Sequence, residues 1–435
     1  MAKVENLTFF RQYLYFRLNW NRLMLYRLEI ENFCSIRERQ TLDLTISPNV
    51  PDPDNRFAEI FPRSKLRAPK VIALYGANAS GKTTVLRALD LITAFPRHNP
   101  RVGAGIAFSF DSFNNSESLN EPVKLAIELG GMMNLNPEDS SVDVEPREFG
   151  VFRYELELNR SENGGHTVSR ELLLQRPASA TKWRRVFERD EQHVKGPTKD
   201  MRFFSLAGYG KILDRLPPGT SVIATLAEFQ HAPSTVLATA SGRVFTNVRM
   251  NPGTNHDGEL VNYLATTPAL VSRLNEDLGR VDLGLDQMRI EQTPNGPMPM
   301  FKHDGHKQEL PWPAESQGTR AFFRIFPFIE QALEQGGISI IDEIDGMMHP
   351  LLLPEIVGWF YDSQGRNAND AQLWLSCHSA SLLEDLTKEE VVICEKDNQG
   401  RTEMFSLMDV GSVRRDDNLY KKYLSGVYGG VPHIG

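Results

Sequence analysis

One stretch constrains the fold of this chain more than any other. An apolar run, Val71-Ile-Ala-Leu-Tyr75, leads into Gly76-Ala-Asn-Ala-Ser80-Gly81-Lys82-Thr83-Thr84 and then Val85-Leu-Arg-Ala-Leu89-Asp-Leu-Ile92. The middle piece has the pattern G-x-x-x-x-G-K-T, set between a strand candidate and a helix candidate. That context separates a phosphate-binding loop from a chance match. Gly76 and Gly81 let the backbone curl so that successive N–H groups, past Asn78 and Ser80, converge on phosphate oxygens. Lys82 is spaced to reach the β- and γ-phosphates, and the Thr83 hydroxyl to ligate Mg²⁺. The helix that opens near Thr84 adds its positive end to the same anion. Gly76, Asn78, Ser80, Gly81, Lys82, Thr83 and Thr84 are therefore the expected binding set for a nucleoside triphosphate.

With 435 residues the chain has room for two to three domains. Its 40% hydrophobic and 24% charged content is ordinary for a soluble protein, and its net charge of −8 argues against a generally basic nucleic-acid binder. No run approaches the roughly 18 apolar residues that span a bilayer, so no membrane association is expected. Cys34, Cys377 and Cys394 are too few and too scattered for a disulfide framework or a zinc site, which suits a cytoplasmic location. Residues 1–23 lack a signal-peptide pattern, because Arg11, Arg17 and Arg22 interrupt Phe9, Tyr13, Phe16 and Trp20. They read either as an extension from an upstream start, with Met24 the alternative start, or as an appended amphipathic helix.

Taken in order, the chain divides into an extension (1–23), a lobe with the phosphate loop (24–104), an antiparallel β region (105–220), a helical insertion (221–280) and a second lobe (281–435). Leu25–Phe33 alternates apolar and polar residues, and Gln40–Ile46 repeats the pattern, so the two read as a hairpin. Pro48–Lys70 is proline-rich and charged, the composition of a loop. Strand candidates follow at Ile106–Phe110, Val123–Leu129, Val151–Leu158, Thr167–Leu174 and Lys182–Phe187, with an acidic loop over Asn134–Pro146. From Ser221 to Leu278 the apolar spacing turns helical, without sustained heptads.

A second set of residues complements the loop. Ile338-Ser-Ile-Ile341 is an apolar strand ending in Asp342-Glu343, where the aspartate would help hold Mg²⁺ and the glutamate would act as a general base. Glu315-Ser316-Gln317-Gly318-Thr319 opens an apolar helix; Ser316 and Gly318 fit either a phosphate contact or an ordinary N-cap. Asp345 follows two residues after Glu343, and Gln372–Ser376 is a further strand ending in Cys377-His378-Ser379.

In this order the residues resemble the ABC-type ATPases related to SMC proteins. More narrowly, four segments are similar to the stand-alone bacterial ATPases called OLD-like. They are Tyr26–Leu44, Glu315–Thr319, Asp342-Glu-Ile-Asp-Gly-Met-Met-His-Pro-Leu351 and a tail. The tail runs through Cys394-Glu-Lys-Asp397, Arg414-Arg-Asp-Asp-Asn418 and Tyr423-Leu-Ser-Gly-Val-Tyr-Gly-Gly-Val-Pro432. The resemblance spans Met24 to Pro432. It implies an α/β fold: an ABC-type phosphate-loop ATPase head with an antiparallel β subdomain and a helical insertion. It also implies ATP and Mg²⁺, held in part by Thr83 and Asp342, and catalysis by Glu343, Lys82 and His378, the last as γ-phosphate sensor. In that family two heads sandwich two nucleotides, which implies that Ser316 and Gly318 act on the nucleotide of a second copy in a homodimer of heads or a higher oligomer. Two departures stand: no Q-loop glutamine is evident near Phe108–Asp111, and Cys34 replaces a basic residue in the stretch Asn32–Ile36 that would contact the base.

The chain after His378 is short for a metal-dependent nuclease domain, and Glu384, Asp385, Glu389 and Glu390 read as a charged helix face. The resemblance therefore implies a switch without its own effector. It points to subunits of two-component anti-phage systems, PARIS first, that control a separately encoded nuclease or toxin and answer to a phage protein. The alternative is a DNA repair or recombination ATPase acting directly on DNA. Arg184, Arg185 and Arg189, or Arg414, Arg415, Lys421 and Lys422, would supply its basic face. Solvated surface charge is the simpler reading of both groups.

Overall fold

The computed structural model describes residues 23–99, 111–133, 149–161, 165–198, 204–249, 256–278 and 284–431. In chain order the strands and helices begin with β1 (Leu25–Glu31), β2 (Gln40–Asp43), β3 (Phe57–Glu59), β4 (Arg67–Pro69), β5 (Val71–Tyr75) and α1 (Lys82–Ala94). Next come β6 (Val123–Met132), β7 (Phe149–Arg160), β8 (His166–Pro177), β9 (Arg184–Asp190) and β10 (His193–Lys195). The helical stretch holds α2 (Val222–Glu228), α3 (Ala232–Ser241), β11 (Val244–Thr246), α4 (His256–Thr266) and α5 (Pro268–Leu278). The remainder comprises β12 (Leu285–Thr293), β13 (Gly296–His303), β14 (Leu310–Pro311), α6 (Gln317–Gln335), β15 (Ile338–Ile341) and α7 (Leu352–Tyr361). It closes with β16 (Gln372–Ser376), β17 (Val391–Lys396), β18 (Thr402–Ser406) and α8 (Leu419–Leu424).

Two sheets organise the molecule. The central one runs β11-β15-β16-β5-β17-β18, parallel except for the edge strand β18. Every residue of β5 is buried, as in a strand covered on both faces. Its period of two divides those residues between two cores. Ile72 and Leu74 join α1 and the antiparallel sheet, while Val71, Ala73 and Tyr75 join α6 and α7. The second sheet, β10-β9-β8-β7-β6-β1-β2, is antiparallel throughout and packs against α1 and the first of those cores. This is the expected α/β class, with its antiparallel subdomain and helical insertion.

Several elements differ from the reading of the sequence. Pro48–Lys70 is not all loop: β3 and β4 pair within it, and the Asp52 carboxylate accepts from the N–H groups of Arg56 (2.7 Å) and Phe57 (3.0 Å). Strands of three residues are too short for a period of two to show. The helical stretch also contains β11, which extends the central sheet beside β15. Glu389 and Glu390 do not face solvent. Both are buried, Glu389 paired with Arg415 (3.1 Å) and Glu390 with Arg56 (3.0 Å). The strand expected at Ile106–Phe110, the loop at Asn134–Pro146 and all but Leu23 of the N-terminal extension lie outside the described residues. Among the described residues no helix is long and apolar enough to cross a membrane.

Candidate active site

Parallel strands deliver their C-terminal ends to one edge, where open α/β sheets place their ligands. Here Ile341 is level with Leu375, Ser376 with Leu74, and Ile393 with Tyr75. Gly76, Asp342 and Cys377 therefore emerge side by side. The strand order also puts β16 between β5 and β15, so Ser376 stands between the phosphate loop and the acidic pair.

The loop is built on close backbone approach. Gly76 has φ 155°, and a Cβ there would stand 2.3 Å from the Cys394 carbonyl oxygen. Gly81 has φ 109°, in the left-handed region, and a Cβ would stand 2.3 Å from Thr402 Oγ1. Asn78 and Ala79 form the exposed crest, Ala79 with φ 61°. Ser80 Oγ is buried and has no hydrogen-bond partner among the described residues. Lys82 turns its ammonium into the loop and donates to the carbonyls of Gly76 (2.8 Å) and Ala77 (3.0 Å). Burial lowers its pKa, against the opposing pull of Cys394, Asp342, Asp345 and Glu343.

One hydrogen-bonded chain crosses three strands. Thr83 donates to one Asp342 carboxylate oxygen (2.8 Å) and Ser376 Oγ to the other (2.5 Å). The same Ser376 hydroxyl accepts from the Glu343 N–H (2.7 Å). Asn247, just past β11, grips the Asp342 backbone: its Oδ1 accepts from the Asp342 N–H (2.8 Å) and its Nδ2 donates to the Asp342 carbonyl (3.0 Å). Glu343 is exposed, with a left-handed φ of 50°. Asp345 accepts from the N–H groups of His378 (3.0 Å) and Ser379 (2.7 Å), which fixes the backbone of the exposed His378.

Two clasps hold the loop from outside. Thr402 Oγ1 makes hydrogen bonds to the Ser80 carbonyl (2.9 Å) and Ser35 Oγ (2.8 Å), and Ser35 Oγ reaches Thr84 Oγ1 (3.1 Å). On the other side, Glu395 accepts from the Gly430 N–H, and Tyr423 donates to the Gly430 carbonyl (3.0 Å). The Tyr423 ring lies 5.6 Å from that of Tyr75.

Of the residues singled out in the sequence, Thr83, Asp342, Glu343 and His378 converge with the loop. Ser316 and Gly318 do not: no hydrogen bond among the described residues joins them to it. Ser316 is the N-cap of α6, accepting from the Thr319 N–H (3.0 Å), and stands exposed. Gly318 abuts the Met347 carbonyl, 2.9 Å from where its Cβ would be. In the stretch Asn32–Ile36, Asn32 serves the fold, donating to the Ser118 and Glu121 carbonyls (2.9 Å each). Of the basic residues considered for DNA, Arg189 is buried and donates to the carbonyls of Glu191 and Thr220. Arg415 pairs with Glu389 and Lys422 with Asp417.

Asn247, Thr402 and Ser35 were not singled out in the sequence. Asn247 carries no motif, and only the pairing of β11 with β15 brings it to Asp342. The Ser376 hydroxyl was legible in principle, as a polar side chain ending the strand that precedes His378.

The loop's curled backbone and its orphaned Ser80 hydroxyl fit a phosphate. The oxygens of Thr83 and Asp342 fit a hard divalent cation such as Mg²⁺. A family model described as "AAA domain, putative AbiEii toxin, Type IV TA system" matches residues 71–203 and 280–384. The chain belongs to this family. The two matched blocks of this AAA domain contain the phosphate loop in the first and Ser316, Asp342, Glu343 and His378 in the second.

Three solved structures are similar in outline. An SMC head bound to the C-winged helix domain of ScpA has 12% identity and a TM-score of 0.43, covering 89% of this chain and 99% of that one. The SMC head domain from Thermotoga maritima has 11% identity and a TM-score of 0.36, covering 88% and 98%. A Smc head with an extended coiled coil, bound to the C-terminal domain of ScpA and derived from Pyrococcus furiosus, has 11% identity and a TM-score of 0.40, covering 93% and 100%. No curated protein matches the chain.

Proposed function

We propose that this protein is an ATP-hydrolysing, ABC-type head that works in pairs and controls a separately encoded toxic effector in anti-phage defence. The observation that carries the hydrolytic part is the chain Thr83–Asp342–Ser376–Glu343, which couples the phosphate loop to two adjacent carboxylates. Gly76 to Thr84 bind the triphosphate, and Lys82 neutralises its β- and γ-oxygens. Mg²⁺ held by Thr83 and Asp342 would offset the charge that develops on the phosphates. Glu343 takes the proton of the attacking water. His378, fixed through its backbone by Asp345, contacts the γ-phosphate.

Ser316 and Gly318 support the pairing. They start a helix whose end is exposed and, among the described residues, has no hydrogen bond to its own phosphate loop, as suits a contact made on the nucleotide of a second copy. The defence setting is supported by the family's description, which names a toxin of a type IV toxin–antitoxin system. PARIS-like systems are the first candidates, with a phage protein as trigger.

The test is Glu343→Gln. The variant is expected to bind ATP, accumulate as a pair and release no phosphate, because the base is lost and the loop is untouched. Turnover at the wild-type rate would overturn the assignment of the base. Co-expression with the neighbouring reading frame tests the second part. A nuclease or toxin restrained by the wild type, and released when Lys82→Ala abolishes nucleotide binding, is the expected result. Stoichiometric DNA with no protein partner would refute it.

A further inference from the structure

The two halves of the site each carry an exposed apolar pair. Met347 and Leu351 are 69% and 78% exposed, the most exposed large apolar side chains among the described residues. They lie on the loop that leaves Glu343 and leads into α7. That loop is fastened to the start of α6, because Gly318 packs on the Met347 carbonyl so closely that it leaves no room for a Cβ. Met347 itself has φ 66°, a conformation rare for a side chain of its size. The backbone thus holds an apolar side chain outward where a glycine would be less strained.

The second pair is Leu424 and Val427, 55% and 61% exposed, at the end of α8 and in the turn after it. This segment is fastened to the phosphate loop. Tyr423, next to Leu424, stacks edge-on against Tyr75, and its hydroxyl binds the Gly430 carbonyl. A Cβ on Gly430 would stand 3.4 Å from Gly76 Cα. Gly426, Gly429 and Gly430 all take left-handed φ, of 75°, 72° and 67°, which folds the tail tightly onto the loop.

We infer that Met347 and Leu351 of one head pack on Leu424 and Val427 of a second copy, forming an apolar contact beside each nucleotide. This rests on the paired-head reading and adds to it the residues that hold the pair together. The second copy is the occupant favoured by placement. One apolar pair is tied to the Ser316–Gly318 side and the other to the phosphate-loop side, the two surfaces that must meet when one head completes the other's site. In a two-fold pair the contact occurs twice, each time between unlike patches. Because the tail grips Gly76, closing this contact would also press on the phosphate loop.

Self-association is measured by analytical ultracentrifugation on Glu343→Gln protein with ATP and Mg²⁺. Met347→Gln with Leu351→Gln, or Leu424→Gln with Val427→Gln, is expected to weaken it by about tenfold or more. ATP binding by the monomer should be unchanged, since none of the four side chains lies in the loop. In a Cys34→Ser background, Leu351→Cys and Val427→Cys proteins are mixed and treated with a short bis-maleimide. A cross-link that needs both variants and ATP is expected. A cross-link formed by Leu351→Cys alone would overturn the inference. So would association untouched by either double variant while Glu343→Gln protein still pairs, which leaves the paired-head reading standing. If Glu343→Gln protein does not pair at all, both fall together.

Discussion

The most informative perturbation removes a residue with no motif. Asn247 makes two hydrogen bonds to the backbone of Asp342, one as acceptor and one as donor. Asn247→Ala deletes both. A typical net hydrogen bond contributes about 1 kcal/mol, and Asn247 is only half-buried, so water recovers part of what is lost. A loss of at most about 2 kcal/mol follows. Asp342 binds Thr83 and Ser376 through its side chain alone, so freeing its backbone loosens the junction that also positions Glu343. With that loss felt in the transition state, kcat falls by roughly tenfold and at most about thirtyfold. Nucleotide affinity should change by less than about threefold, because Gly76, Gly81 and Lys82 are untouched. Phosphate release and binding of a fluorescent nucleotide measure the two separately. Asn247→Asp keeps the acceptor but sets a carboxylate against the Asp342 carbonyl, and should be no better than alanine. Unchanged kcat would refute the reasoning. Equal losses in binding, turnover and melting temperature would also refute it, by reducing Asn247 to a support for β11.

Other expectations bear on the clasps and on pH. Thr402→Val keeps the shape but removes the hydroxyl that joins Ser80 to Ser35, and should weaken ATP binding several-fold in a titration, about 1 kcal/mol. Gly429→Ala would place a Cβ 1.9 Å from Glu395 Oε1 at a φ of 72°. It should lower the melting temperature and cost about 1–3 kcal/mol; an unchanged melt would show that the tail does not clasp the loop. Burial raises the Glu29 carboxyl, but hydrogen bonds from Arg153, Arg39 and Arg27 outweigh it and hold the group at about 2. A depressed carboxylate stabilises the fold above its unfolded pKa and loses that effect as pH falls through the folded value. Denaturant melts should therefore show about 3 kcal/mol fading between roughly pH 4.5 and pH 2. Glu29→Gln should flatten that acid limb.

Local features made the phosphate loop readable, because each sits within a few residues of the next. Strand, glycine spacing, lysine and helix follow one another without a break from Val71 to Ile92. The antiparallel strands were equally plain where they ran long, as at Val151–Leu158. Three-residue strands such as β3, β4 and β11 carry too few residues for a period to emerge. The charged run at Glu384–Glu390 misled for a different reason. Charge in a sequence suggests solvent, but Arg56, from far upstream, and Arg415, from beyond the next two strands, supply partners that permit burial.

By itself, then, the sequence specified a glycine-rich phosphate-loop motif and an acidic strand end, since both follow from residue type at short spacing. Only the tertiary structure decided how they meet. Placing β16 between β5 and β15 makes the Ser376 hydroxyl the bridge, and pairing β11 at the sheet edge delivers Asn247 to Asp342. Among the described residues, it also left Ser316 and Gly318 without a hydrogen bond to their own loop. The physical reason is that strand order is set by the packing of two whole cores around the sheet, a quantity no short window of sequence contains.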